Sequence, residues 1–267
     1  MFRLLDTGFN DPFYNMALDE AILEEVAAGY SLPTLRLYGW NPPSVSIGYF
    51  QKVFEEIDVE YCRDNGIGLV RRPTGGRAVL HDNELTYSYI VPEASDHSGK
   101  GVIETYKRIS TGILMGLKLL GVNAQWIEKP AKHVKSSICF NSSSWYEITC
   151  EGKKIVGSAQ MRKKGVVLQH GSIIIDLDVD RMFNCFRFKT TEAKVKSKKI
   201  FLKKATSLNR LLKQRANFEV VKQGIVKGFE KGLNIQFKAG KVSDRESRLA
   251  QQLKREKYSK KEWNFRF

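Results

Sequence analysis

The chain has 267 residues, of which 42% are hydrophobic, 11% aromatic and 27% charged; that is enough to bury one full core and far from the composition of a disordered chain. No apolar run approaches the roughly 20 residues of a membrane span, and MFRLLDTGFNDPF at the N-terminus lacks the continuous apolar stretch of a signal peptide, so a cytoplasmic protein with no membrane association is expected. A net charge of +15 usually means an acidic partner, and nucleic acid or an acidic carrier protein explains it equally well; a solvated basic face is the plain alternative.

Asp11-Pro12 reads as a helix start, with Asp as N-cap and Pro at the first helical position. Leu18, Ile22 and Val26 then recur at four-residue spacing, predicting one buried face, and Gly29 is a natural stop. Residues 34–40 and 44–51 read as strands around the turn Asn41-Pro42-Pro43, and residues 84–91 read the same way. Residues 102–120 have helical apolar spacing. A hairpin is predicted from 144–150 and 154–161 around Glu151-Gly152-Lys153, and a second turn at Lys163-Lys164-Gly165 leads into the β-branched segment 166–177. Residues 194–215 hold nine Lys or Arg and no acid. Phe218, Val221, Ile225 and Phe229 mark another helix, and 244–260 is a polar helix by propensity. Hairpins with helices elsewhere predict an α+β layered fold, not a βαβ nucleotide fold.

Three segments could carry chemistry. The first is Arg71-Arg72-Pro73-Thr74-Gly75-Gly76-Arg77-Ala78-Val79-Leu80-His81. Two glycines let the backbone approach a ligand closely, and three arginines offer forks for anionic groups; a plain surface loop with a glycine bend is the alternative. It is neither a Walker loop nor a G-x-G-x-x-G loop. The second pairs Lys154 and the small residues Gly157, Ser158 and Ala159, then Gln160, with Gln169-His170-Gly171. Small residues on a strand leave room above the sheet, or simply pack beneath a helix. The third surrounds Cys139. A free cysteine is more often a buried small hydrophobe than a nucleophile, but Lys132, His133 and Lys135 precede it, Lys154 lies across the predicted hairpin, and cationic neighbours favour thiolate. The four cysteines, Cys62, Cys139, Cys150 and Cys185, form no C-x-x-C pair. This argues against a structural zinc site or disulfide scaffold and suits a reducing compartment.

Together these segments, with YNMALDE at 14–20, YGWNP at 38–42 and SSICFNSSSWYE at 136–147, resemble the lipoate-protein ligase and octanoyltransferase family, a branch of the group that includes biotin-protein ligases. The resemblance runs over most of the chain and is strongest to the cysteine-dependent octanoyltransferases of Gram-positive bacteria. It implies a mixed, largely antiparallel sheet flanked by helices, forming a single acyltransferase domain over 1–267 with its core at about 1–230 and a helical extension at about 231–267. It implies Cys139 as acyl-thioester nucleophile and Lys154 as the lysine that lowers its pKa. Pocket walls would come from Arg72, Thr74, Gly75, Gly76, Arg77, His81, Gly157, Ser158, Ala159, Gln160, His170 and Gly171. No metal or cofactor is implied. The donor would be octanoyl-acyl carrier protein, the acceptor a lipoyl-domain protein such as the H protein of the glycine cleavage system. Asn141-Ser142-Ser143 departs from the family's usual Asp-Ala-Pro type of segment. An ATP-dependent lipoate-protein ligase is the alternative within the family. A non-catalytic nucleic-acid-binding protein is the alternative outside it, supported by charge alone.

Overall fold

The computed structural model describes residues 1–127 and 147–267. In chain order its elements are β1 (Phe2–Asn10), α1 (Pro12–Ala27), β2 (Thr34–Trp40), β3 (Ser44–Ile47), α2 (Val53–Glu56), α3 (Val59–Asp64), β4 (Gly68–Arg71), β5 (Val79–His81), β6 (Glu84–Pro92), α4 (Gly101–Leu119) and β7 (Gln125–Ile127). There follow β8 (Glu147–Cys150), β9 (Lys153–Lys163), β10 (Val166–Ile174), α5 (Val179–Asn184), α6 (Thr191–Lys204), α7 (Leu208–Leu211), α8 (Phe218–Leu233), β11 (Phe237–Ala239), α9 (Asp244–Leu253), a π-helical turn (Lys254–Tyr258) and α10 (Lys261–Asn264).

Among the described residues, eight strands form the main sheet in the order β11-β1-β2-β6-β10-β9-β8-β7. Its two pairings at the β11 edge are parallel and the other five antiparallel. A three-stranded sheet, β4-β3-β5, lies beside it. This is the mixed, largely antiparallel sheet with flanking helices that the family resemblance implies. The β8–β9 and β9–β10 hairpins close through Glu151-Gly152 and Lys164-Gly165, all four residues with φ between 51° and 72°. Two consecutive left-handed residues match the right-handed twist of the strands they join.

The helices cover the main sheet unequally. On one face α4 and α8 pack on an apolar surface built from Leu35, Leu37, Tyr87, Tyr89 and Val167. On the other lies α1, whose start is capped as the sequence predicts: Asp11 Oδ1 accepts from the N–H groups of Phe13 and Tyr14 at 3.1 and 3.0 Å. More than the expected single face of α1 is buried; Asn15, Asp19 and Glu20 are covered as well. The reason is that α1 is enclosed by the sheet, β4, α9 and the π-helical turn, from which Lys257 and Tyr258 bond Glu20.

Two expectations need adjustment, and one segment without an expectation proves helical. The strand expected at 44–51 ends at Ile47, because the carbonyls of Gly48, Tyr49 and Gln51 turn toward the Arg71 guanidinium. The basic stretch at 194–215, for which no element was expected, covers most of α6 and all of α7. Helix 244–260 changes to π-helical winding at Lys254. No helix among the described residues is long and apolar enough to cross a membrane.

Candidate active site

The loop from 71 to 81 joins β4 to β5 in the small sheet. Its first two arginines point inward. Arg71 is fully buried and donates to six backbone carbonyls, those of Gly48, Tyr49, Gln51, Trp263, Asn264 and Arg266, at 2.8–3.1 Å. Burial, then the charges of Arg266 and Arg72, bring its pKa down to about 10, still a cation at neutral pH. Arg72 donates to the carbonyls of Ser46, Gly75 and Arg77 and to Ser46 Oγ. These two therefore brace the loop, where the sequence suggested forks for anions. Arg77 is the partly exposed one and faces Glu56 at 3.3 Å.

Of the two glycines, Gly76 is the one the geometry requires. Its φ is +92°, and its carbonyl oxygen lies 2.0 Å from where a Cβ on Gly48 would stand. Gly75 has neither constraint; its carbonyl serves Arg72.

A cavity of about 110 Å³ opens between this loop and the main sheet. From the expected set it is lined by Arg72, Gly76, Arg77, His81, Gly157, Ser158, Ala159, His170 and Gly171. Gly157 and Ala159 lie opposite Ser172 and His170 in the β9–β10 ladder, so their small side chains face the same side as His170. Gly171 lines the cavity with its backbone; a Cβ there would point to the other face of the sheet, 2.6 Å from Ser158 Oγ and 2.7 Å from Tyr87 Cε1. Gln160 is off the cavity and bonds Gln169 at 3.0 Å. Thr74 reaches it indirectly, through His170.

Two histidines in the wall are each held by a buried carboxylate. Asp19 on α1 accepts from Arg36, Tyr38 and Ser88 at 2.6, 3.0 and 2.6 Å and meets His170 Nδ1 at 3.2 Å, while His170 Nε2 meets Thr74 Oγ1 at 2.7 Å. Burial pushes the Asp19 carboxyl upward, but Arg36 and His170 outweigh it and hold it below the usual range. For His170 burial dominates over Asp19, and its pKa falls. The second pair is His81 Nδ1 with Glu84 at 2.8 Å; His81 Nε2 meets Ser46 Oγ at 2.7 Å, and the Trp40 ring stacks on the imidazole at 4.1 Å between centroids. Asp19, Glu84 and Trp40 were not singled out from sequence. A carboxylate on the apolar side of α1 and the His81-x-x-Glu84 spacing were the available signals.

Lys154 is buried and donates to Glu147 at 2.7 Å. A bulge sets its direction. Thr149 pairs with Lys154 and Ile148 with Val156, leaving Ile155 as an extra residue. The extra residue turns Lys154 to the face opposite Val156, the face that carries Gly157, Ala159 and His170. Lys154 itself is not among the cavity's lining residues. Cys139 lies outside the described residues. Of the described thiols, Cys150 sits on β8 with burial, then Glu151, raising its pKa, which favours the thiol over the nucleophilic thiolate. No metal-binding cluster of His, Cys, Asp or Glu occurs among the described residues.

Comparison with known proteins gives the family. Residues 11–230 match the lipoyl protein ligase A/B catalytic domain. The chain is 46% identical to octanoyltransferase LipM of Geobacillus kaustophilus, over 100% of this chain and 98% of that protein. It is 42% identical to octanoyltransferase LipM of Bacillus subtilis, over 99% and 98%. Among solved structures, a bi-partite lipoate protein ligase from Thermoplasma acidophilum, described with its E2 lipoyl domain, superposes with a TM-score of 0.83 at 28% identity, covering 98% of this chain and 95% of that one. With its loop, small-residue strand and buried lysine on one face of a shared fold, the chain belongs to the lipoyl protein ligase A/B catalytic-domain family.

Proposed function

We propose that the whole chain acts in the cytoplasm as one octanoyltransferase unit, taking octanoyl from acyl carrier protein and delivering it to a lysine of a lipoyl-domain protein, with the glycine cleavage H protein as the preferred acceptor. The Cys139 thiolate attacks the carbonyl carbon of the donor thioester, and the carrier's sulfur leaves as a thiolate that takes a proton from solvent. The acceptor lysine's free amine then attacks octanoyl-Cys139, forming an amide, releasing the Cys139 thiolate and giving up one proton to solvent. Thioester exchange is nearly balanced and thioester-to-amide transfer runs downhill, so no ATP or other cofactor is needed. A covalent intermediate divides the transfer into two accessible steps. The Lys154 ammonium, held by Glu147, favours the thiolate electrostatically. The octanoyl tail fits the apolar cavity, where Gly157 and Ala159 leave the space and Met16, Trp40 and Val79 supply apolar walls. His81 and His170 are wall groups whose carboxylate partners fix their orientation.

The observation that carries this reading is full-length kinship with octanoyltransferases. Of the three arginines that an ATP-using ligase could offer to phosphates, Arg71 and Arg72 are engaged by carbonyl oxygens, while Arg77 is partly exposed and lines the cavity. Assaying octanoyl transfer to an H protein without nucleotide tests the transferase reading. Wild type should transfer, and Cys139→Ser should fall by about a thousandfold or more. Full activity in Cys139→Ser, or an absolute need for ATP in wild type, would refute it.

A further inference from the structure

Helix α6 separates its lysines by direction. Lys194 bonds Asn184 at 2.6 Å and Lys198 pairs with Asp180, both toward α5. Phe201 is fully buried and anchors the helix in the core beneath the small sheet. Lys196, Lys199 and Lys203 recur at three- and four-residue spacing on the outer side, all exposed and with no ion pair or side-chain hydrogen bond among the described residues. Two apolar side chains stand among them: Val195 is 49% and Leu202 38% exposed. Residues three and four apart are neighbours on a helix surface, so these five form one continuous cationic and apolar stripe, with a single exposed carboxylate, Glu192, at its N-terminal end.

The stripe leads to the site. Beyond the C-terminal end of α6, Ala205 bridges Lys154 in parallel, and Thr206 N–H donates to the Lys154 carbonyl at 3.0 Å. The 14-residue helix runs away from this point for about 21 Å. A protein docked along the helix would extend up to about 21 Å from the Lys154 backbone, a span that a long flexible arm bridges. An acyl carrier protein has such an arm; an acceptor lysine reaches only the length of its own side chain and must be presented close by.

Resting on the octanoyl-transfer reading above, we infer that the outer face of α6 docks the acyl donor: an acidic carrier protein whose carboxylates meet Lys196, Lys199 and Lys203 and whose apolar residues cover Val195 and Leu202. Lysines on a helix face match scattered carboxylates and speed encounter. Interleaved apolar side chains add area that a protein partner can bury and a phosphate backbone cannot.

The test is steady-state kinetics on the full chain carrying Lys196→Glu, Lys199→Glu and Lys203→Glu. Octanoyl-carrier protein is compared with octanoyl-pantetheine as a small donor. The donor-protein KM should rise by about tenfold or more, while turnover with octanoyl-pantetheine and the acceptor KM stay within about twofold. Salt should raise the donor KM of wild type but hardly that of the variant. The Lys→Gln triple variant and Val195→Ser/Leu202→Ser should each give a smaller rise of the same kind, and they stand in if charge reversal harms folding. An unchanged donor KM, a rise confined to the acceptor, or a loss confined to nucleic-acid affinity each overturns the assignment. A wild type that accepts octanoyl from neither donor overturns the transferase reading itself.

Discussion

Under α4 and α8 the main sheet is mostly apolar, with Tyr87, Ser158, Gln160 and Gln169 as a small neutral set of hydrogen-bonded polar groups, whereas under α1 it meets buried charge. On the first face the two helices touch almost backbone to backbone: a Cβ on Gly228 would stand 2.2 Å from Gly116 N and 2.5 Å from Gly112 O. On the second face Asp19, Arg36, Tyr38, Ser88 and His170 share one hydrogen-bonded network with no exposed member. Close packing of apolar groups stabilises without choosing a chemistry. A satisfied polar network costs desolvation but fixes side-chain positions. The cavity opens on the networked face, so the fold keeps its stiffness on one side and its oriented groups on the other.

The contrast can be broken most severely at Asp19. Asp19→Ala leaves the Arg36 charge buried without its carboxylate, and a loss of about 3–5 kcal/mol in denaturant unfolding is expected. A loss below about 1 kcal/mol would mean that the network is dispensable. Gly228→Ala should cost about 1–3 kcal/mol by overpacking and leave the turnover of the folded fraction intact; a selective loss of turnover would join the two faces functionally.

Acid should distinguish the faces too. The folded pKa values of His170 and Asp19 both lie below their ordinary values of 6.5 and 3.8, so the unfolded chain binds more protons on acidification. The His170 contribution is full above about pH 6.5 and is lost as pH falls; the Asp19 contribution follows below about pH 3.8. His170→Gln should therefore flatten the stability slope between pH 7 and 5. Gly228→Ala should keep the wild-type slope, and unfolding at several pH values reads both.

Within the loop the glycines should separate. Gly76→Ala, strained at φ +92°, should lower kcat/KM by about tenfold through a displaced loop, while Gly75→Ala should stay within about twofold. Equal losses would remove the special role of Gly76. The smallest effect belongs to Arg77→Gln. Its partly exposed pair with Glu56 contributes below about 1 kcal/mol, and thermal unfolding should barely move.

What was legible in the sequence follows the range of the interactions. The two hairpins showed because Glu151-Gly152 and Lys164-Gly165 carry their turn chemistry locally. The α1 start showed because Asp11 caps its own helix. Strand β1 did not, since its partners are residues 34–40 and 237–239 and FRLLDTGFN lacks clean alternation. The role of Arg71 was hidden for a related reason: three of its acceptors are carbonyls of Trp263, Asn264 and Arg266, about 190 residues away. Nine expected wall residues meet at the cavity because the loop and the β9–β10 ladder are each short-range units. Their carboxylate partners Asp19 and Glu84 were missed as partners, and the bulge at Ile155 that turns Lys154 toward the cavity face has no sequence mark.

The passage of octanoyl through Cys139 is tested most directly by intact-mass and peptide-mapping analysis after brief incubation with octanoyl-carrier protein and no acceptor. One added octanoyl group should map to Cys139, disappear in Cys139→Ala, persist in Cys150→Ala, and leave the enzyme when an acceptor lipoyl domain is added. No adduct, an adduct mapping to the buried Cys150, or an adduct that the acceptor cannot discharge would contradict it.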